Sequence, residues 1–162
     1  IGANAYVLVN GSAKIEVATI ADMKSVATID VVSPRFIAKV SDAKAYVTDW
    51  GINGVQVIDL TTNTVSSTIT CGTGPEGIAV SNGFAYVCNV GGWGLDNTIT
   101  IINTTTDAVE TTLIVGDKPN SAVVDVDGAV WILTGGYTEW NSDSIRERQK
   151  VMANIAVHVW KI

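Results

Sequence analysis

The sequence predicts an all-β protein made of repeated four-stranded antiparallel sheets. Short runs rich in Val, Ile, Thr and Tyr alternate with clusters of Gly, Asn, Asp and Ser through most of the 162 residues. β-Branched and aromatic side chains favour strands, and the small polar residues favour tight turns. No run has the 3.6-residue apolar period of a helix. The runs recur at a period in the low forties, which is typical of the blades of a β-propeller.

One complete repeat lies between Pro75 and Val115, and its strands are labelled A to D. Strand A lies at 77–80, and strand B follows a Ser-Asn-Gly turn at 84–90. Strand C lies at 98–103 after a glycine-rich loop, and strand D lies at 108–115 after a polar turn. Connections this short favour antiparallel neighbours, so the repeat is predicted to be a four-stranded meander.

The same register runs through the whole chain. The tyrosine of strand B recurs every 40 residues, at Tyr6, Tyr46 and Tyr86. A fourth copy of strand B, starting at Ala129, follows 44 residues after Ala85. The proline before strand A recurs at Pro34, Pro75 and Pro119. We therefore expect one domain of about four blades, at approximately 1–33 (strands B, C and D), 34–74, 75–118 and 119–162 (strands A, B and C).

The repeats resemble those of the YVTN family, which is named after a tetrapeptide in strand B. Tyr46-Val47-Thr48-Asp49 and Tyr86-Val87-Cys88-Asn89 each differ from that tetrapeptide by one letter. Two further family elements match PEGIAV from Pro75 and VIDLTTNTV from Val57. The resemblance covers nearly the whole chain outside 135–154. It implies a propeller of about seven blades, of a kind often found on surface-layer or secreted bacterial and archaeal proteins.

The ends of the chain suggest that the ring is completed from elsewhere. The two strands that are missing, a D and then an A, are consecutive in the repeat, so the ends cannot complete each other. A propeller normally closes its ring, because open strand edges promote aggregation. We expect closure through further blades or through a homodimer, in which two copies would carry about eight blades. The domain is thus predicted to be part of a ring of roughly seven or eight blades.

The charge balance is acidic, with 16 Asp and Glu against 10 Lys and Arg and a formal net charge of −6. Nucleic acids and anionic membranes recruit clustered Lys and Arg, so neither is an expected partner. No apolar stretch reaches the roughly 18 residues that a transmembrane helix needs, so no membrane span is predicted. With the family resemblance, these features favour an extracellular, cell-surface or periplasmic location.

The two cysteines allow two interpretations. Cys71 lies at the end of strand D of the second repeat, and Cys88 lies within strand B of the third. They could be buried thiols that serve as small apolar residues. They could also form a disulfide, provided that the two blades bring them together. Their spacing does not indicate a metal site.

The connections from D to A and from B to C are expected to lie on one face, around the mouth of the central channel. This placement is an analogy with propellers in general. It selects polar and aromatic residues as candidate ligand-binding positions. They are Arg35, Glu76 and Asn120 after the prolines, and Asp49, Trp50, Asn53, Asn89, Trp93, Asp96, Tyr137, Trp140 and Asp143 in the B-to-C loops.

Tryptophan beside Asn and Asp suits a sugar or another small polar ligand. The ring covers an apolar face of the ligand while amides and carboxylates bond its hydroxyl groups. The alternative is structural: Trp50 and Trp93 would cover blade edges, and the Asn and Asp residues would shape turns.

The third B-to-C loop, from Gly135 to Asn154, is much longer than the others. Long loops in compact domains are commonly functional or disordered. Its second half, from Ser142 to Met152, could form one or two helical turns capped by Ser142 or Asp143. The loop is predicted to be either a solvated flap, or a lid or partner contact over the channel mouth.

The sequence shows no catalytic constellation and predicts no cofactor and no metal site. The single histidine, His158, aligns with Gln56 and Thr100 in strand C, which are ordinary polar strand positions. We expect a non-enzymatic secreted or cell-surface module that binds a carbohydrate, peptide or protein through the channel-face loops. The alternative is a propeller enzyme that resembles lyases, lactonases or quinone-dependent dehydrogenases, with catalytic residues that lie partly outside this chain.

Overall fold

The structure, a computed structural model, describes residues 1–136 and the strand His158–Trp160. This part of the chain is all-β. Its strands are β1 (Asn4–Val9), β2 (Lys14–Thr19), β3 (Ser25–Asp30), β4 (Pro34–Lys39), β5 (Lys44–Asp49), β6 (Gly54–Asp59), β7 (Thr64–Thr70), β8 (Pro75–Ser81), β9 (Phe84–Asn89), β10 (Thr98–Asn103), β11 (Ala108–Ile114), β12 (Pro119–Val124), β13 (Val130–Thr134) and β14 (His158–Trp160). A single 3₁₀ turn at Asn10–Ser12 joins β1 to β2. No helix in the described part of the chain is long and apolar enough to span a bilayer.

The strands form four antiparallel sheets in which neighbours along the chain are neighbours in the sheet. The first sheet contains β1 to β3, the second β4 to β7, the third β8 to β11 and the fourth β12 to β14. They are called blades 1 to 4. This arrangement confirms the predicted propeller architecture, with the strand types in the predicted order.

The blades share the same local irregularities. Each strand A begins with a proline, which has no N–H to give to the ladder and is tolerated at a strand's first residue. The pairing of strands A and B shifts directly after that proline, at Pro34, Pro75 and Pro119. The pairing of strands C and D shifts at Val17, Val57 and Ile101. These recurring bulges show that the sequence repeat is a repeat of backbone geometry.

The alignment of the fourth strand B from Ala129 is wrong by one residue. Val80 pairs with Ala85 in blade 3, and Val124 pairs with Val130 in blade 4. Trp131 therefore occupies the position of Tyr86. The turn before β13 is one residue longer than its counterpart, and a slip of one residue moves every side chain to the other face of the sheet.

Apolar cores lie between successive blades. Each blade presents a forward face to the next blade and a rear face to the preceding one, because side chains alternate along a strand. At each junction, aliphatic or aromatic residues of one forward face pack on aliphatic residues of the next rear face. The buried residues are Ile15, Val17, Ile29, Val31, Ala45, Val47 and Ile58 between blades 1 and 2; Tyr46, Val55, Val57, Ile69, Ala85, Val87 and Ile102 between blades 2 and 3; and Tyr86, Cys88, Ile99, Ile101, Val130 and Ile132 between blades 3 and 4.

A tyrosine hydrogen bond recurs at the first two of these junctions. The Tyr6 hydroxyl donates to Asn63 Oδ1 of the next blade at 2.8 Å. The Tyr46 hydroxyl of blade 2 donates to the Asp107 carboxylate of blade 3, and Lys44 Nζ lies 2.6 Å from the same carboxylate. Burial and the bond to Asp107 raise the pKa of Tyr46 above its ordinary value. In blades 1 and 2, the strand B tyrosine thus bonds an Asn or Asp in the C-to-D turn of the next blade.

The cysteines are free thiols, so the disulfide interpretation is wrong. Cys88 is buried in the core between blades 3 and 4, and Cys71 packs at the edge of the core between blades 2 and 3. Burial raises the pKa of both thiols to about 12.

We expect a thiol reagent such as DTNB to react very slowly with the folded protein at about pH 8, because the thiolate is the reactive form. Denaturant should release two reactive thiols per chain, matching the two cysteines. Rapid reaction of either thiol in the native protein would contradict the burial of these side chains.

Candidate functional site

The D-to-A and B-to-C connections meet at one end of the blades, which we call the loop face. The Trp50 backbone N–H donates to the Ser33 carbonyl at 3.0 Å in blade 2, and the Gly91 backbone N–H donates to the Thr73 carbonyl at 2.8 Å in blade 3. In blade 4 the Gly135 N–H donates to the Lys118 carbonyl at 2.9 Å. Each B-to-C loop is therefore tied to the D-to-A corner of its own blade, which brings the candidate residues to one surface.

Asp49 organises the loop face of blade 2 from within. It ends strand β5 and is fully buried. Its carboxylate accepts hydrogen bonds from the backbone N–H groups of Val32 at 2.9 Å, Ser33 at 2.8 Å and Gly51 at 2.8 Å. Asp49 therefore holds a corner and a loop together, which is the structural role that the sequence left open for the Asp residues.

Asn89 occupies the same position in blade 3 and is also fully buried. Its amide nitrogen donates to Thr98 Oγ1 and to Thr100 Oγ1, each at 3.0 Å. A Cβ on Gly72 would lie 2.5 Å from that nitrogen, so the corner needs glycine here. In the described part of the chain, Asn89 Oδ1 is buried without a hydrogen-bond partner.

Asn53 and Asp96 join the loops of blades 2 and 3. Asn53 Oδ1 accepts from the Gly74 N–H at 3.0 Å, and Asp96 Oδ2 accepts from the Thr73 N–H at 2.9 Å. Asp96 Oδ1 also accepts from the Thr98 N–H at 2.9 Å. Both side chains are occupied in shaping the corner between the two blades.

Arg35, Trp50, Glu76 and Trp93 form one group on the loop face, which we call the loop-face cluster. Arg35 binds Glu76 with two hydrogen bonds, from Nε to Oε2 at 2.9 Å and from Nη2 to Oε1 at 2.8 Å. This fork joins blade 2 to blade 3 across 41 residues of sequence. The bonds to the Glu76 carboxylate raise the pKa of Arg35. Paired in this way, the two side chains are held in a fixed planar geometry.

Trp50 and Trp93 complete the loop-face cluster. The Arg35 guanidinium carbon lies 4.6 Å from the centroid of the Trp50 ring, within the range of a cation–π interaction. The Trp50 and Trp93 rings meet edge to face, with centroids 6.2 Å apart. Trp50 is half-buried, and its Nε1 is buried without a partner among the described residues. Trp50 thus anchors the group, while Trp93 extends from it.

Trp93 is 99% exposed, although tryptophan is highly buried on average. It sits in a loop with glycine at 91, 92 and 94. A Cβ on Gly91 would lie 2.5 Å from the Asp96 backbone nitrogen, and Gly91 has a φ of 87°. The tight loop therefore requires glycine and lifts the indole away from the blade, leaving both ring faces accessible.

The remaining candidates are Asn120 and three residues that the structure does not describe. Asn120 is half-buried at the start of β12, and its backbone carbonyl lies against Gly77 of β8. Tyr137, Trp140 and Asp143 lie outside the described residues, as do the predicted helical turns from Ser142 to Met152. Within the described residues, no group of three or more His, Cys, Asp and Glu side chains could hold a metal ion.

Thr48 is a residue that sequence reasoning missed. It is fully buried, and its Oγ1 donates to the Glu76 carbonyl at 2.7 Å and accepts from the Phe36 N–H at 3.0 Å. It therefore fixes the backbone that carries the Arg35–Glu76 pair. Its position in the YVTD tetrapeptide was the available signal, but the partner lies 28 residues away.

Comparison with known proteins supports the β-propeller fold. No protein-family model matches the chain, so the resemblance to the YVTN family stays a prediction. A curated relative, the PE-PGRS family protein PE_PGRS18 of Mycobacterium tuberculosis, is 50% identical over 48 residues, which cover 30% of this chain and 10% of that protein.

Several solved structures are similar over most of the chain. Hydrazine synthase of Kuenenia stuttgartiensis matches with a TM-score of 0.79 and 22% identity, over 85% of this chain and 40% of that one. The WD40 β-propeller domain of Doa1 matches with a TM-score of 0.65 and 16% identity, over 80% and 43%. AztD of Citrobacter koseri matches with a TM-score of 0.57 and 18% identity, over 68% and 31%.

The chain spans less than half the length of each of these relatives. Identities this low carry no activity from one protein to the other. The chain is therefore similar to parts of β-propeller proteins, and its four blades are a segment with the β-propeller fold.

Proposed function

We propose that these blades are a non-enzymatic binding module and that the loop-face cluster binds a carbohydrate. The observation that carries the proposal is the exposed Trp93 ring, which Trp50 links to the Arg35–Glu76 fork. Large exposed apolar surfaces next to polar groups commonly mark interaction sites. A pyranose could stack its apolar face on the indole while its hydroxyl groups bond the guanidinium and the carboxylate.

The arrangement also supports the proposal through its preorganisation. Arg35 is fixed by two hydrogen bonds and by the Trp50 ring, so little side-chain freedom would be lost on binding. Peptide and protein ligands fit the same exposed tryptophan and are the other classes to screen. An extracellular, cell-surface or periplasmic location is part of this proposal, supported by the resemblance of the repeats and by the acidic charge.

Replacing Trp93 by alanine is expected to reduce ligand affinity by at least about tenfold, as for a central aromatic anchor. Thermal stability should stay unchanged, because the side chain is almost fully exposed. The measurement is a glycan-array screen with the full chain, followed by calorimetric titration of the best ligand with both proteins.

Val126→Ala is a matched control, because Val126 is fully exposed in an A-to-B turn at the opposite end of the blades. It should leave both affinity and stability unchanged. Glycan binding that survives Trp93→Ala would place the site elsewhere. Chemical turnover of a bound glycan, instead of simple retention, would favour the enzyme alternative.

A further inference from the structure

Arg35 has a second hydrogen-bonding edge that the fork to Glu76 leaves free. A guanidinium has more N–H donors than one carboxylate can use, all in one plane. The fork takes only Nε and one N–H of Nη2. Within residues 1–136 and 158–160, Nη1 donates to no other group, although it is not buried. The outer edge of the guanidinium, formed by Nη1 and the second N–H of Nη2, is therefore open to a ligand.

This outer edge is held in place by three separate contacts. The fork to Glu76 fixes the plane of the guanidinium, and the Trp50 ring lies against its face at 4.6 Å. Thr48 Oγ1 accepts from the Phe36 N–H and donates to the Glu76 carbonyl, so it fixes the backbone beside both members of the pair. A donor edge positioned before binding loses little freedom when a ligand arrives.

The polar part of the loop-face cluster offers a ligand donors more than acceptors. The Arg35 side chain is 33% exposed, whereas the Glu76 side chain is only 13% exposed. Both carboxylate oxygens of Glu76 already accept hydrogen bonds from Arg35. A ligand at this position therefore meets N–H groups of a permanently charged guanidinium, and an anionic acceptor makes the strongest bonds to such groups.

The aromatic platform is close to this edge. Trp50 contacts the Arg35 guanidinium on one side and the Trp93 ring on the other, with the two indole centroids 6.2 Å apart. A sugar stacked on the exposed Trp93 ring can thus extend a substituent, or a neighbouring sugar unit, toward Arg35. An aromatic platform next to a fixed guanidinium edge suits a sugar that carries a negative charge.

We infer that the loop-face cluster binds a carbohydrate that contains a uronic acid, and that the sugar carboxylate binds the outer edge of Arg35. This inference rests on the proposed carbohydrate binding and narrows it. A carboxylate has two coplanar oxygens, which match two parallel N–H groups of a guanidinium. Its single charge limits the repulsion from Glu76 on the other edge. The net charge of −6 does not attract a distant anion, so recognition depends on this short-range pair.

The test is calorimetric titration of the full chain with oligogalacturonate and oligoglucuronate, each compared with its own methyl ester. The ester keeps the sugar ring and its hydroxyl groups but removes the negative charge. We expect the free acid of at least one of the two sugars to bind about tenfold more tightly than its ester, which corresponds to one charge-assisted pair less the repulsion from Glu76. Added salt should weaken binding of the acid more than binding of the ester, because salt screens charges.

Arg35→Lys tests the role of the edge. Lysine keeps the positive charge and can still pair with Glu76, but it has no second edge, so the acid-to-ester affinity ratio should fall toward one. The melting temperature of the variant shows whether the fold is kept. Lys24→Gln is the matched control, because it removes one positive charge from a side chain that is 79% exposed in the C-to-D turn of blade 1. It should leave the ratio unchanged.

The outcomes separate this inference from the proposed function. Equal affinity for the acids and their esters, or a ratio that Arg35→Lys leaves unchanged, would overturn the inference while carbohydrate binding stands. Tighter binding of sulfated sugars than of uronates would overturn the assignment to a carboxylate. Failure to bind any glycan, acidic or neutral, would overturn the proposed function and this inference together.

Discussion

Replacing Asp49 by alanine is expected to reduce the free energy of unfolding by about 3 kcal/mol, because three backbone N–H groups would lose their buried acceptor. The donors are the backbone nitrogens of Val32, Ser33 and Gly51. Asp49 is fully buried, so water cannot replace the carboxylate without opening the loop face. Chemical denaturation followed by tryptophan fluorescence measures the change.

Asp42→Ala is the matched control for this prediction. The Asp42 side chain is 99% exposed and pairs only with Lys39 at the surface. Such pairs contribute little to stability, so the denaturation midpoint should not move. The denaturation midpoint of Asp49→Asn should lie between those of Asp49→Ala and Asp42→Ala, because the amide keeps one oxygen but turns its NH₂ toward the N–H donors. Equal midpoints for Asp49→Ala and Asp42→Ala would show that the corner is not held by this carboxylate.

Gly77→Ala is expected to destabilise the protein by about 3 kcal/mol through overpacking. A Cβ at this position would lie 2.6 Å from the Asn120 carbonyl oxygen and 2.9 Å from the Ser121 Cα. Both are backbone atoms of β12 and cannot move as a flexible side chain would, so blades 3 and 4 would have to separate.

The same substitution should weaken ligand binding, because Gly77 follows Glu76 on β8. Gly11→Ala is the control, since a Cβ there meets no atom within 4 Å. It should leave stability unchanged or slightly raised, as alanine restricts the unfolded chain. Denaturation and titration of both variants test the prediction. Wild-type stability in Gly77→Ala would mean that β8 and β12 do not approach as closely as described.

These two variants show how the loop-face cluster depends on the scaffold. Asp49 fixes the loop that begins with Trp50, and Gly77 lets β8 lie between its neighbours with Glu76 at its start. Ligand affinity and stability should therefore fall together in Asp49→Ala and Gly77→Ala. In Trp93→Ala, by contrast, affinity alone should fall, because Trp93 is exposed. That contrast separates a ligand-binding residue from one that positions the site.

The sequence predicted the strands and their grouping well, because both follow from local patterns. Runs of β-branched residues and turn residues define each strand, and the 40-residue spacing of the tyrosines defines the blades. The exception was strand β13, where an alignment on Ala129 put every side chain one position out. Similarity of letters could not reveal that the preceding turn is one residue longer, since strand pairing sets the register.

The candidate site was predicted as a set of loops and not as a group of touching residues. Loop position alone could not separate Asp49 and Asn53, which hold backbone N–H groups, from Arg35 and Glu76, which bond each other. The roles differ because each depends on which donors surround the side chain. Asp49 and Trp50 are adjacent in sequence, yet one is fully buried and the other is half-buried.

By itself, the sequence determined the all-β class, the order of the strands and the blade repeat. Those properties are local, since they depend on periodicity, turn chemistry and connection length. Only the tertiary structure decided that Arg35 of blade 2 meets Glu76 of blade 3, and that Tyr46 of blade 2 bonds Asp107 of blade 3. These outcomes depend on how one blade packs against the next, which brings together residues that are far apart in the chain.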